Sequence, residues 1–263
     1  MDPDFFITIV GGAGGMGSAM TSCFTQAGLD VRSADRRNGP INWAEVGQSP
    51  MVMLAVPMGA FESVVETLGP HTRPDGVVID ICSLKQRQIA AMVKNCRGEV
   101  VGAHPLFGPK VRDLNGQVVY VCPGRGDRWQ NWLTGFLTEQ GAKVEIRDAV
   151  EHDRLMSRIQ VLRHLMLVTF GLSLVRLDFD VQELLPISGQ WFNQLVDMLS
   201  NQLGQDHGLY ADMALNNPSA TEVMDEFARS AMEISRLVTK GDRDGMLELF
   251  EMVTKHIGPV GDE

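Results

Sequence analysis

At residues 101–110 the chain reads VGAHPLFGPK. His104 stands between the end of an apolar, β-type run and a loop stiffened by Pro105 and Pro109. An imidazole held there can take or give a proton near neutral pH, because its reference pKa is ~6.5. It can equally serve loop backbone groups, so its chemistry depends on what surrounds it. Two other stretches carry reactive side chains. Ser83-Leu84-Lys85-Gln86 follows the run GVVIDIC and fits the capping box S-x-x-Q. A helix start with Lys85 beside it would also attract a carboxylate. Farther on, Ser157, Gln160 and His164 are spaced i, i+3 and i+7, with Arg163 beside them. On a helix this places a polar stripe on one face of an otherwise apolar cylinder.

These residues need elements to carry them. Short β-type runs occupy 5–10, 29–35, 51–57, 76–82, 99–103, 117–124 and 142–148, alternating with helical patterns. Such alternation predicts a parallel α/β sheet. The first run, FFITIV, leads into Gly11-Gly12-Ala13-Gly14-Gly15-Met16-Gly17, which from Gly12 is GxGxxG between a strand and a helix. Gly12 is expected to make the tight turn, Gly14 to admit a pyrophosphate and Gly17 to let helix and strand pack closely. The amides of Gly15 and Met16 would face the phosphates at the helix start. Asp35 ends the next run, about 20 residues on, where an acid can hydrogen-bond a ribose 2′-hydroxyl. This favours NAD over NADP, although Arg36 and Arg37 are placed where arginines can accommodate a 2′-phosphate. Ligands of open α/β sheets bind at the carboxyl ends of the strands. Val56-Pro57, Ser83, Lys85 and His104 all fall at such ends, with Val56 and Pro57 where a nicotinamide could lie.

From Ala149 onward the pattern is helical: 149–177, then near 187–203, 206–215, 219–240 and 242–256. The stretch from Leu165 to Val175 is apolar on nearly every face, as in a large core or an oligomer interface. The reading is a Rossmann-type α/β dinucleotide-binding domain over 1–148 followed by an all-α substrate and dimerisation domain over 149–263.

Composition limits the partners. The chain of 263 residues has a formal net charge of -10, which argues against nucleic acid or an anionic membrane. The run LMLVTFGLSLV at 165–175 is shorter than the ~20 residues of a membrane span. Cys23, Cys82, Cys96 and Cys122 lack metal-ligand spacing, so free thiols in the cytoplasm and no metal site are expected. The acidic N-terminus runs straight into a strand, unlike a signal peptide.

GGAGGMG, LAVP, SLK, HPLFGP and EHDRLMSRIQVLRH together resemble the prephenate dehydrogenases, most closely the dehydrogenase part of bifunctional chorismate mutase–prephenate dehydrogenases. The likeness runs from Phe6 to about Asp212. Since the chain begins at the nucleotide fold, no mutase domain is expected. The resemblance implies NAD-dependent oxidative decarboxylation of a cyclohexadienyl substrate in tyrosine-type aromatic biosynthesis. It implies His104 as the base for the ring C4 hydroxyl and Gln160, Arg163 and His164 in the substrate cleft.

One feature departs from the family. Its members place arginines for substrate carboxylates on a later helix; aligned through GLYADM, these positions are Asn193 and Asn201. No Lys or Arg occurs from Leu177 to Ala228. Lys85, Lys110, Arg112, Arg158 and Arg163 are the remaining candidate cations. Prephenate leads as substrate, with arogenate or 4-amino-4-deoxyprephenate as alternatives. A β-hydroxyacid dehydrogenase or imine reductase, which HPLFGP argues against, and a nucleotide-binding regulator without turnover complete the set.

Overall fold

A computed structural model describes residues 5–111 and 113–258. Five strands alternate with four helices in its first part: β1 Phe6–Val10, α1 Gly15–Gln26, β2 Asp30–Ala34, α2 Trp43–Gly47, β3 Met51–Leu54, α3 Met58–Leu68, β4 Val77–Asp80, α4 Gln86–Asn95 and β5 Glu99–Pro105. β6 Val118–Arg125, α5 Arg128–Glu139 and β7 Lys143–Ile146 follow. The seven strands form one sheet in the order β2-β1-β3-β4-β5-β6-β7.

β1 to β5 are parallel, as the alternation predicts. β6 breaks the rule and runs antiparallel to β5. Among the described residues, the connection from Leu106 to Gln117 holds no helix, and a parallel return needs a crossover, usually helical. The β6-α5-β7 unit does have one, and its strands are parallel to each other.

Apolar side chains pack on both faces of the sheet. Ile7, Ile9, Phe24, Met53, Leu133 and Leu137 belong to the cluster with α1 and α5. Val52, Leu54, Phe61, Val65, Leu68 and Met92 belong to the cluster with α3 and α4. Strands covered on both faces read as continuous apolar runs, as MVML and VVID do apart from Asp80.

One unbroken helix then leaves the sheet: α6 Ala149–Met156, a π-helical segment Ser157–Leu162 and α7 Arg163–Arg176. Asp148 caps it, accepting from the amides of Val150 and Glu151 at 2.9 Å each. At 28 residues, with a mean hydropathy of 1.3 over its most apolar window, the whole helix is long enough to cross a membrane by length and composition. The shortness of the apolar run therefore does not apply to the element containing it. This helix is nevertheless tied to the sheet by the polar side chains described below.

α8 Val181–Leu184, α9 Gln190–Leu203, α10 His207–Asn216, α11 Ala220–Lys240 and α12 Arg243–Ile257 complete the helical region. In α7 only His164 and Leu167 are buried within the chain. Val168, Leu172, Val175, Ile187, Trp191 and Phe250 are exposed. The chain's own core does not cover this apolar surface.

Candidate active site

The glycine turn closes at the carboxyl end of β1. Gly11, rather than Gly12, takes the left-handed conformation, with φ +82°, against the carbonyl of Ala55. Gly12 is instead closed in by Ser33 of β2: a Cβ there would lie 2.4 Å from its Oγ. A Cβ on Gly17 would lie 2.3 Å from the oxygen of Gly11, so helix and turn can meet only through glycine. Gly14 is the N-cap of α1 and offers no side chain to its amides, while Met16 packs on the adjoining core. These features fit a dinucleotide, whose phosphates can take the free amides.

Asp35 lies beside this turn. Its carboxylate accepts from the amide of Ala13 at 3.1 Å and from that of Arg37 at 2.9 Å. The Arg37 hydrogen bond, joined by that of Ala13 and by the charges of Arg37 and Arg36, holds the Asp35 carboxyl below its usual range. The guanidinium of Arg37 bonds the carbonyl of Ala13 at 2.8 Å. Val56 stands beside Gly11, and Pro57 caps α3 at the carboxyl end of β3.

His104 lies within β5, paired with Tyr120 of β6, and not in a loop. The segment beyond it returns across the carboxyl edge of the parallel strands. A Cβ on Gly15 would come within 3.0 Å of Cβ of Pro109. The HPLFGP segment thus joins the histidine strand to the glycine turn.

His104 is buried, and its Nδ1 is 3.0 Å from Nε2 of His152. Nδ1 of His152 is 2.8 Å from Oδ1 of Asp153. Burial holds His104 well below the ordinary imidazole pKa, reinforced by the charges of His152 and Lys85. Burial also lowers His152, against the opposing hydrogen bond it donates to Asp153. The other nitrogen of His104, Nε2, is 3.4 Å from Nε2 of Gln160 on the π-helical segment. Such segments commonly occur at functional sites, because they re-aim side chains along a helix.

Arg163 and His164 follow Gln160 by one turn. Nε2 of His164 receives a guanidinium N–H of Arg163 at 3.1 Å. On its far side, Nδ1 of His164 is 2.8 Å from Oε1 of Gln202, whose amide nitrogen donates to the His164 carbonyl. The amide oxygen can only accept, so His164 carries its hydrogen on Nδ1 and presents a bare Nε2 to Arg163. Tyr210 packs edge-on against the His164 ring, with centroids 4.4 Å apart. Burial lowers the His164 pKa, as does the charge of Arg163. Ser157 leaves the expected stripe: it is buried and donates to the Arg154 carbonyl at 2.7 Å.

Two expectations at the β4 end are corrected. Lys85 is fully buried, and its ammonium meets the Asp80 carboxylate and, at 2.7 Å, the Ala103 carbonyl. It lies beneath the site as a support for β5 and is not open to a substrate carboxylate. Ser83 does not cap α4, whose N-cap is Lys85. Asp153 does so from α6, accepting from the amides of Lys85 and Gln86 at 2.8 and 3.0 Å. Ser83 itself is half-buried at the turn between β4 and α4. Among the other candidate cations, Lys110 and Arg158 are exposed and Arg112 lies outside the described residues.

His152, Asp153, Asp80 and Gln202 were not singled out from the sequence. A carboxylate inside the apolar run VVID was the available signal for Asp80. Asp153 reads as an ordinary acid near a helix start, and its partners lie 67 and 68 residues away. Gln202 reaches His164 across 38 residues.

Residues 18–146 match the family model for the nucleotide-binding domain of prephenate dehydrogenase, and 148–252 match that for its dimerization domain. The chain belongs to the prephenate dehydrogenase family. Within it, the chain is 29% identical to a probable arogenate/prephenate dehydrogenase of Methanocaldococcus jannaschii, with 96% of this chain covered. It spans only 61% of that relative's length. It is 28% identical to the 4-amino-4-deoxyprephenate dehydrogenase of Streptomyces pristinaespiralis over 97% of this chain and 92% of that protein. Prephenate dehydrogenase from Aquifex aeolicus, solved with hydroxyphenyl propionate and NAD+, has the same fold. The TM-score is 0.77 at 19% identity, covering 96% of this chain and 97% of that one. Among the described residues no group of three His, Cys, Asp or Glu could hold a metal. All four cysteines are buried.

Proposed function

We propose that this family member is an NAD-dependent dehydrogenase that oxidatively decarboxylates prephenate or a close cyclohexadienyl relative. The observation that carries this reading is the route of one segment: β5 presents His104, and the chain then crosses to Pro109 against Gly15 of the glycine turn. Base and cofactor groove are thereby parts of one construction.

Gly12, Gly14, Gly15, Met16, Gly17, Val56 and Pro57 would line the dinucleotide site, with Asp35 at the ribose. A 2′-phosphate beside that carboxylate is disfavoured by like charge. Bound there, the nicotinamide supplies the hydride acceptor. His104 takes the C4 hydroxyl proton on Nε2 and returns it to the phenol oxygen after the ring carboxylate has left as CO2. A neutral imidazole suits that task, and such a base contributes ~10²- to 10⁴-fold in rate. Gln160 steers the hydroxyl to His104. Arg163, braced by His164, binds a substrate carboxylate. Ser83 lines the β4 end of the cleft. The exposed apolar face of α7 and its neighbours pairs with a second copy, making a homodimer.

A second reading concerns the substrate alone. With no Lys or Arg from Leu177 to Ala228, the site has fewer cations than two carboxylates call for. Arogenate and 4-amino-4-deoxyprephenate keep both carboxylates but add an amine whose positive charge lowers the net anionic charge, which suits a cation-poor site. Following NADH absorbance with NAD+ and each of the three compounds separates the possibilities. Turnover of at least one is expected. Tight NAD+ binding with no NADH from any of them would favour a regulator without turnover.

A further inference from the structure

The hydrogen bonds around His104 form a directed chain. It begins at Asp153, whose carboxylate accepts from the amides of Lys85 and Gln86 and so has only acceptor roles left for His152. Nδ1 of His152, 2.8 Å away, therefore carries a hydrogen. A buried neutral imidazole has one hydrogen, so Nε2 of His152 is bare. The contact of 3.0 Å to His104 then requires its Nδ1 to donate. His104, also neutral, is left with a bare Nε2 on the side of Gln160. Each link has only one available direction, and the sequence ends at the nitrogen where a base must be unprotonated.

We propose that His152 and Asp153 are positioning residues that hold His104 in the Nδ1–H tautomer and stabilise it once Nε2 has accepted a proton. This rests on the reading of His104 as the base. The abstracted proton stays on Nε2. The imidazolium charge strengthens the Nδ1–H bond to His152, whose own N–H faces the Asp153 carboxylate. A catalytic base oriented by a buried partner is the logic of hydrolytic triads, here with an imidazole between base and carboxylate. Other polar groups around the pair are the Lys85–Asp80 ion pair beneath β5 and Tyr120, whose ring is edge-on to His152 at 5.5 Å. Neither offers an acceptor contact to Nδ1 of His104 among the described hydrogen bonds.

The test is the imidazole tautomer, read by two-bond ¹H–¹⁵N correlation on uniformly labelled protein. The chain has six histidines, and the His104 signal is assigned by its loss in His104→Asn. The wild type should show a protonated Nδ1 and a bare Nε2 on His104. The opposite tautomer overturns the proposal without any variant having to fold. In His152→Phe the preference for Nδ1–H should disappear, and kcat should fall by roughly 10²- to 10⁴-fold, as when a triad's orienting group is altered. His152→Gln presents an amide oxygen to His104 and an N–H to Asp153. It should restore the tautomer and bring kcat within about tenfold of wild type, with the acidic limb of its pH profile moved by less than a unit. An unchanged tautomer and kcat in His152→Phe also overturn the proposal. The NMR reading needs no substrate, so it decides this point even if none of the three compounds is oxidised.

Discussion

The side-chain nitrogen of Gln160 stands 3.4 Å from Nε2 of His104, joining the helical region to strand β5. Gln160 Oε1 is buried without a hydrogen-bond partner among the described residues. The amide is therefore held by one end only. Replacing Gln160 with Ala should raise KM about five- to tenfold, the equivalent of one ~1 kcal/mol hydrogen bond. Gln160→Glu places a carboxylate beside the imidazole and should move the acidic limb of kcat/KM to higher pH. Steady-state profiles between pH 5 and 9 measure both, and an acidic limb that stays in place in Gln160→Glu removes Gln160 from working contact with His104.

The buried histidines set a pH dependence with a definite sign. His104, His152 and His164 all have pKa values below 6.5 in the fold, chiefly through burial. The unfolded chain therefore binds these protons first as the pH drops. Their contribution to stability is fully present above about pH 6.5 and is lost as the pH falls through the folded values. Asp80 acts in the opposite direction, because burial raises its pKa to about 6. Three groups outweigh one, so the urea midpoint should be lower at pH 5.5 than at pH 7.5. A flat or rising midpoint on acidification contradicts this. Activity should persist below pH 6.5, because His104 resists protonation.

Lys85 should behave as a structural residue. Lys85→Met leaves Asp80 buried without its ion-pair partner, and breaking a pair of this kind costs ~3–5 kcal/mol. Lys85→Met with Asp80→Asn should recover much of that loss in urea titrations. A stable Lys85→Met variant with a greatly raised substrate KM would instead return Lys85 to carboxylate binding.

Cofactor choice is tested at Asp35. Asp35→Ala should weaken NAD+ by roughly 10- to 100-fold, the range for a hydrogen bond to a charged group, and NADP+ by much less. Fluorescence titration gives both Kd values. Equal losses would detach Asp35 from the ribose.

The sequence made some of these relationships visible and hid others for physical reasons. The seven strands and the glycine turn are local: apolar runs, Gly spacing and an acid about 20 residues on reveal them. The reversal of β6 is not local, because VVYVC has the same period and composition in either direction. The capping box at Ser83 matched a local pattern, but the carboxylate of Asp153 arrives from another element and takes the amides. Lys85 looked available because an exposed lysine is usual. Only its pairing with Asp80 explains why it points inward. His104 and Gln160 were legible through HPLFGP and the helix stripe. His152 was not, since its contact is with a strand residue 48 positions away.

The most direct measurement is kcat and NAD+ affinity in His104→Asn with whichever cyclohexadienyl compound the wild type oxidises. The assignment of His104 as the base requires a kcat loss of ~10²- to 10⁴-fold, with the NAD+ Kd changed by less than about twofold. A variant that turns over at the wild-type rate would contradict it.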